Sequence, residues 1–207
     1  MPSPPTGVAT LASSPLDWER IVDWTNQIAA EEVRDIARVF AANGLPAPVV
    51  HWYRQESDFL TEPLRFLLAY WSTLRGDGAV PHHRRVDPTA MRPVLGFVMV
   101  LDAVDSGRDF RYRLFGSSIA RVSGFDMTGR LMSSHPASPY ATEFAIASTL
   151  ASVQRGLPLY TERQLARAEK TMRWPRLTLP MRDDSNRIIR VLAGTVPLDR
   201  DGRIVIA

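Results

Sequence analysis

The chain predicts an α+β fold in which helices lie across a sheet that wraps a small pocket. Three observations carry that expectation. Residues 110–130 read FRYRLFGSSIARVSGFDMTGR: a strand of alternating aromatic and charged side chains, Gly116, a short polar-capped helix, and a Gly-bounded loop. An apolar run at 97–101 stands before it, preceded by an amphipathic helix ending YWSTLRGDG. One longer helix and three strands follow. Nothing in the pattern looks like a catalytic centre, so it favours sensing or binding.

Taken in order, residues 1–13 are a Pro-, Ser- and Thr-rich lead-in expected to be disordered. Ser14, Pro15 and Asp17 then supply a helix start, with a hydroxyl cap, Pro at the first helical position and an early acid. Trp18, Ile21, Val22, Thr25, Ile28, Ala29, Val33, Ile36, Ala37 and Phe40 recur at threes and fours until Asn43, Gly44 and Pro46 stop them. This stretch is one long rod or two shorter pieces. It either packs on its own domain or serves as a dimerising helix. Residues 46–57 read as a connector containing His51, Trp52 and Tyr53. A second helix starts near Thr61, with Pro63 in its first turn. Its apolar face is Leu64, Leu67, Leu68, Trp71 and Leu74, and Gly76 and Gly78 end it. Asp87-Pro88 signals a third, short helix through Val94.

The apolar run at 97–101 suits a central strand covered on both sides. Ser106-Gly107 turns the chain into a strand over 110–115, and Ser117 or Ser118 caps a short helix carrying Ile119 and Val122. Tyr140, Phe144, Ala147 and Ala151 mark the longer helix, closed by Gly156. Strands are expected around 159–161, across 172–181 and across 188–196. Pro175 and Pro180 imply that the middle one is bent or lies at an edge. Asp183-Asp184 sits in the turn before the last strand.

Length and composition narrow the class. At 207 residues the chain suits one domain with an extension: a helical segment over 14–57 ahead of a domain over 58–207. Cys is absent, which removes disulfides, thiolate metal sites and cysteine–flavin photochemistry. The N-terminus lacks a basic region followed by an apolar core, and no apolar run is long enough for a membrane span, so a cytoplasmic location is expected. Residues 1–60 hold 4 Arg and 8 acids, while the rest holds 21 basic residues and 14 acids, so an acidic segment can dock on a basic body. The arginines are scattered instead of lining one helix, which argues against a nucleic-acid partner. His82-His83 is an adjacent pair whose rings should diverge. With Arg84-Arg85 beside it, no metal site is expected. Phosphate-binding, dinucleotide and hydrolase motifs are missing.

Tyr70-Trp71, Leu74-Arg75-Gly76, Pro81, Arg84 and Asp87-Pro88 begin a wider pattern. It continues through Tyr112-Arg113-Leu114, Gly116, Gly124, Asp126, Thr128-Gly129-Arg130, Gly156, Pro158 and Leu179-Pro180. Over roughly residues 61–200 the chain resembles the PAS-domain superfamily, specifically a branch of small bacterial PAS-like proteins first catalogued as a domain of unknown function. Ser117 stands where Thr is expected after the Gly; the hydroxyl survives. The resemblance implies a five-stranded antiparallel sheet with flanking helices, preceded by the N-terminal helical extension. It implies a non-enzymatic sensory or adaptor protein that binds a small molecule or a partner protein and relays a signal through dimer or partner contacts, the partner being a protein such as a kinase or regulator. Haem bound through a His is conceivable in some branches; His135 or His51 would have to supply it, and neither stands in the long helix.

The candidate ligand-binding residues are Tyr112, Arg113, Ser117, Phe144 and Trp174, around a small, mostly apolar ligand. Neighbouring strand positions face opposite ways, so Tyr112 and Arg113 cannot both point inward. Tyr112 is the one expected inside, since Phe110 and Leu114 share its face. Arg113 would hold a ligand carboxylate if it faced in, and would pair with Asp126 or Asp102 if it faced out. The alternative function is a small isomerase- or lyase-like enzyme using an Asp and a Tyr as acid and base. The sequence stops at Ile206-Ala207 within or just past the last strand, so no output domain is expected to follow unless the chain is truncated there. A signal is therefore expected to pass to a separate protein, and a homodimer is expected in which residues 15–43 supply much of the interface.

Overall fold

A computed structural model describes residues 15–59, 61–76, 78–167 and 170–206. The lead-in over 1–13 and the Ser14 cap lie outside the described residues. The chain forms α1 (Trp18–Ala29), α2 (Arg34–Ala42), β1 (Val49–Trp52), α3 (Glu62–Arg75), β2 (Val98–Val104), β3 (Asp109–Phe115), α4 (Ser117–Ser123), α5 (Pro139–Arg155), β4 (Leu159–Arg167), β5 (Lys170–Arg182) and β6 (Ile188–Thr195). The strands make one antiparallel sheet in the order β1-β4-β5-β6-β2-β3.

The α+β class and the antiparallel sheet agree with the sequence, and the sheet gains a sixth strand. β1 comes from the segment read as a connector and pairs with β4 at the edge. Four residues carry too little alternation to announce a strand that pairs with one over a hundred positions away. β5 lies between β4 and β6, so its two prolines do not place it at an edge. Their carbonyls are well used: Trp71 Nε1 donates to Pro180 O at 2.9 Å and Val196 N to Pro175 O at 3.1 Å. The short helix expected after Asp87-Pro88 is instead a run of turns and a 3-10 helix over Arg92–Phe97, because Pro93 cannot donate to an α-helical ladder.

The N-terminal segment is two helices, broken where Glu31 takes a φ of 64°. Asp17 caps α1, accepting from Arg20 N at 3.0 Å, so the helix begins later than Pro15 implied. α1 and α2 rest on α5. Ile21, Trp24, Ile28, Ile36 and Phe40 are buried, and Phe40 meets Phe144 edge-on at 5.5 Å between ring centroids. Arg20 Nη1 donates at 2.9 Å to Glu143 Oε2, and Asp17 N donates at 2.9 Å to Oε1, so the buried carboxylate of α5 anchors the start of α1. Arg155, at the end of α5, lies 4.4 Å over the Trp52 ring and donates to Ala29 O and Glu31, tying the break between the two helices to the body.

α3 covers the opposite face of the sheet. Leu64, Leu67, Leu68 and Trp71 pack with Val98, Leu177, Leu179, Met181 and Leu192. Gly194 allows this approach: a Cβ there would collide with Leu67 Cδ1 and come within 3.0 Å of Leu64 Cδ2.

Candidate functional site

Between the sheet and the α4–α5 layer lies a cavity of about 830 Å³. β2 and β3 contribute Met99, Tyr112 and Phe115; β4 contributes Thr161, Arg163 and Leu165; β5 contributes Met172, Trp174 and Arg176. Phe125, Met132 and His135 close one end, and Tyr140, Thr142 and Phe144 of α5 form the roof.

Three of the five sequence candidates stand on this wall. Tyr112 is buried with its ring 5.2 Å from Phe115, edge-on, and burial raises the pKa of its hydroxyl. Phe144 and Trp174 also line the cavity. Arg113 and Ser117 do not. The pairing of β2 with β3 steps from Val100↔Leu114 to Leu101↔Tyr112, which leaves Arg113 as the extra residue of a β-bulge. Its side chain is 64 % exposed and meets Asp102 at 3.5 Å. The bulge also shifts the phase, so that Phe115 joins Tyr112 inside and Leu114 turns out. Ser117 is the first residue of α4, behind a Gly116 cap; it makes no capping bond and is exposed.

What sequence reasoning missed are the charged and polar groups on the wall. Thr161, Arg163 and Leu165 alternate onto the inner face of β4, as do Met172, Trp174 and Arg176 on β5. Thr161 pairs with Arg176 and Arg163 with Trp174. The two arginines are therefore diagonal neighbours, about 7–8 Å apart at Cα. Both are surrounded by protein; the surface they keep is cavity wall. Burial, then the charge of Arg176, pulls Arg163 down to about 10, and burial lowers Arg176 as well. Both remain protonated at neutral pH. Arg176 Nη2 donates to Thr149 Oγ1 at 3.2 Å, but its Nε finds no acceptor, nor does Arg163 Nη1 or the Trp174 indole N–H. Among the described residues neither arginine has a carboxylate partner, and no Asp or Glu lines the cavity. The period-2 rule could have found Arg176, two positions from Trp174; Arg163 was hidden because β4 runs six residues past the expected 159–161.

Burial, then the fields of Arg163 and Arg176, lowers the His135 pKa to about 3, so its ring is neutral. Its Nδ1 accepts from Ala137 N at 3.1 Å, which leaves the ring proton on Nε2. Binding haem iron through Nε2 would need the opposite tautomer, so this donor set does not fit a haem ligand. His51 lies on edge strand β1, exposed. The rings of His82 and His83 do not diverge: they stack with centroids 4.8 Å apart, and His82 Nε2 meets Asp184 Oδ1 at 2.9 Å. Among the described residues no cluster of three or more His, Cys, Asp or Glu could hold a metal ion.

A family model described as PAS domain matches residues 60–195, about two thirds of the chain. The chain belongs to the PAS-domain family. No curated protein matches it. Several solved structures are similar to it at low identity. A light-oxygen-voltage domain studied with a flavin analogue is 16 % identical over 55 % of this chain and 84 % of its own, with a TM-score of 0.40. The light state of the blue-light photoreceptor Aureochrome1 LOV is 12 % identical over 55 % of this chain and 89 % of its own, at 0.38. An RNA-binding light-oxygen-voltage receptor is 15 % identical over 87 % of this chain, at 0.39, and this PAS chain spans 48 % of its length. The PAS chain has no Cys, so a cysteine–flavin adduct cannot form on it. No helix among its described residues is long and apolar enough to cross a membrane.

Proposed function

We propose that this PAS protein is a non-enzymatic sensor whose cavity takes up a small molecule and whose N-terminal helices pass the change to a partner. The observation that carries this reading is the cavity of about 830 Å³ with unpartnered polar atoms on its wall. A volume of that size falls in the range of small-molecule sites, and buried polar groups without partners are costly unless something fills them. The roof of the cavity is α5, on which α1 and α2 pack, and Asn43 and Leu45 at the end of α2 also line the cavity. A ligand that shifts α5 acts directly on the extension. Trp18 and Val22 of α1 stay exposed, at 36 % and 53 %, and offer the contact for a second copy of the chain or for a signalling protein such as a kinase or regulator. Most of the apolar stripe expected to pair between copies is spent inside one chain, so a homodimer here rests on the exposed residue pair. The acid–base enzyme reading needs a carboxylate in the cavity, and among the described residues none lines it.

Native mass spectrometry of the full-length protein tests the first half: a co-purifying small molecule is the expected result. An experimental structure with side chains filling the volume would overturn it. Sedimentation beside Val22→Asp tests the second. The wild type should run as a dimer and the variant as a monomer; a monomeric wild type removes the homodimer and leaves a different protein as the partner.

A further inference from the structure

We propose that the cavity selects a small organic anion, a carboxylate or related oxoanion on an apolar or aromatic body, gripped between Arg163 and Arg176. This rests on reading the cavity as the ligand site and adds the charge and shape of what fills it.

Two like charges set as diagonal cross-strand neighbours amid protein repel each other, and each has lost much of its water. A fold that needed only packing would place apolar side chains there, or supply a carboxylate. The same sheet does supply one elsewhere: Arg173 on the outer face pairs with Glu162 at 3.2 Å, and Arg190 with Asp102 at 2.5 Å. Among the described residues the inner pair receives only the Thr149 hydroxyl, with Arg163 Nη1 and Arg176 Nε left open. Three further donors share the wall: the unpartnered Trp174 indole N–H, the Nε2–H that His135 carries in its neutral form, and the Tyr112 hydroxyl. A wall with this many donors and, among the described residues, no carboxylate is complementary to oxygen atoms that carry negative charge. Two guanidinium groups can take the oxygens of a carboxylate together, each bond short and charge-assisted. The apolar part of the lining, which outweighs polar residues such as Asn43, Thr142, Thr161 and Thr195, says what the anion is attached to. Met99, Phe115, Phe125, Met132, Phe144 and Leu165 are aromatic, aliphatic or thioether and offer nothing to a polar body. A sugar phosphate or a free inorganic ion would leave that half of the cavity unsatisfied.

A matched pair of fluorescent probes tests the charge alone. 1-Anilinonaphthalene-8-sulfonate carries an anion on an aromatic body, and N-phenyl-1-naphthylamine is the same body without it. Both are titrated into full-length protein, into Arg163→Met and Arg176→Met, and into the surface variant Arg108→Met. Each cavity variant removes a buried unpaired charge and keeps the length of the side chain, so the fold should persist, and thermal unfolding checks that it does. The sulfonate is expected to bind wild type at least tenfold tighter than the neutral probe. Each cavity variant should lose about tenfold for the sulfonate and nothing for the neutral probe, while Arg108→Met changes neither. If both probes bind equally and the cavity variants treat them alike, the arginines recognise no anion, and the cavity survives as an apolar site. If neither probe binds wild type, the cavity reading itself falls and this inference falls with it.

Discussion

The two faces of the sheet are built from the same strands and solve opposite problems. On the α3 face, Leu177, Leu179 and Met181 of β5 form one buried cluster with Leu64, Leu67 and Trp71, down to a glycine at 194 that admits the helix. On the α5 face, Trp174 and Arg176, earlier in the same strand and of the opposite parity, border a cavity and leave polar atoms without partners. One strand thus carries a packed stripe and an unsatisfied stripe, separated only by the pleat. The difference teaches where stability is made and where it is given up. Burying each large side chain under α3 contributes about 1.5–3 kcal/mol, whereas every orphaned donor on the other side costs about 1–3 kcal/mol until something accepts from it.

That contrast breaks if the two faces respond alike to truncation. Leu67→Ala under α3 should cost about 2–5 kcal/mol in chemical denaturation, because it opens a void in a filled layer. Met99→Ala, also buried but already bordering the cavity, should cost visibly less, since fewer contacts are lost where space exists. Equal losses at the two sites would mean that the cavity is closed in solution.

Acid should act on the cavity face through His135. Its folded pKa is about 3, below the unfolded 6.5, so between those values the unfolded chain holds a proton that the folded one lacks. Stability is therefore fully present above pH 6.5 and is lost as pH falls through that window. By about pH 4.5 the loss from this one residue should be about 2–3 kcal/mol relative to pH 7. His135→Phe should abolish that part of the acid sensitivity, seen as a smaller difference between unfolding curves at the two pH values. An unchanged difference would show the ring to be water-exposed and normally titrating.

The roof of the cavity is joined to the extension by one buried carboxylate. Glu143→Gln keeps the shape and removes the charge that Arg20 and the backbone N–H of Asp17 address. A loss of about 1–2 kcal/mol is expected. It should come with faster amide exchange confined to Trp18–Ala29, while the α3 face stays protected. Uniform exchange across both faces would mean that α1 is held by its apolar stripe alone.

How much of this was legible follows the same division. The α3 face could be read because its signal is periodic: Leu64, Leu67, Leu68 and Trp71 fall on one side of a helix that Thr61 and Pro63 open and Gly76 closes. Tyr112, Phe144 and Trp174 were found on the cavity wall for the same reason, being large apolar residues in phase with apolar neighbours. The misses have physical causes. β1 takes its identity from pairing with β4, a partner distant in sequence that no local pattern reveals. Arg163 and Arg176 occupy inward positions that the usual pattern assigns to apolar residues, so a reading that equates charge with solvent sends them to the wrong face. The bulge at Arg113 inserts one residue into an otherwise regular alternation, and nothing in FRYRLF marks which residue is the extra one.

The smallest expected effect falls on that bulge. Arg113 was the sequence candidate for a ligand carboxylate, yet its guanidinium lies in solvent, 3.5 Å from Asp102, on the opposite side of β3 from the Tyr112 ring. Asp102 keeps Arg190 at 2.5 Å when Arg113 is removed, so no buried charge is stranded. Arg113→Ala should therefore shift stability by no more than about 0.5 kcal/mol, as expected for an exposed pair. Its affinity for the sulfonate probe should match wild type, while Tyr112→Ala changes probe binding because it enlarges the cavity. A tenfold loss of probe affinity in Arg113→Ala would place the anion at the outer edge of β3, and the two arginines on β4 and β5 would then have to be explained by something other than a ligand.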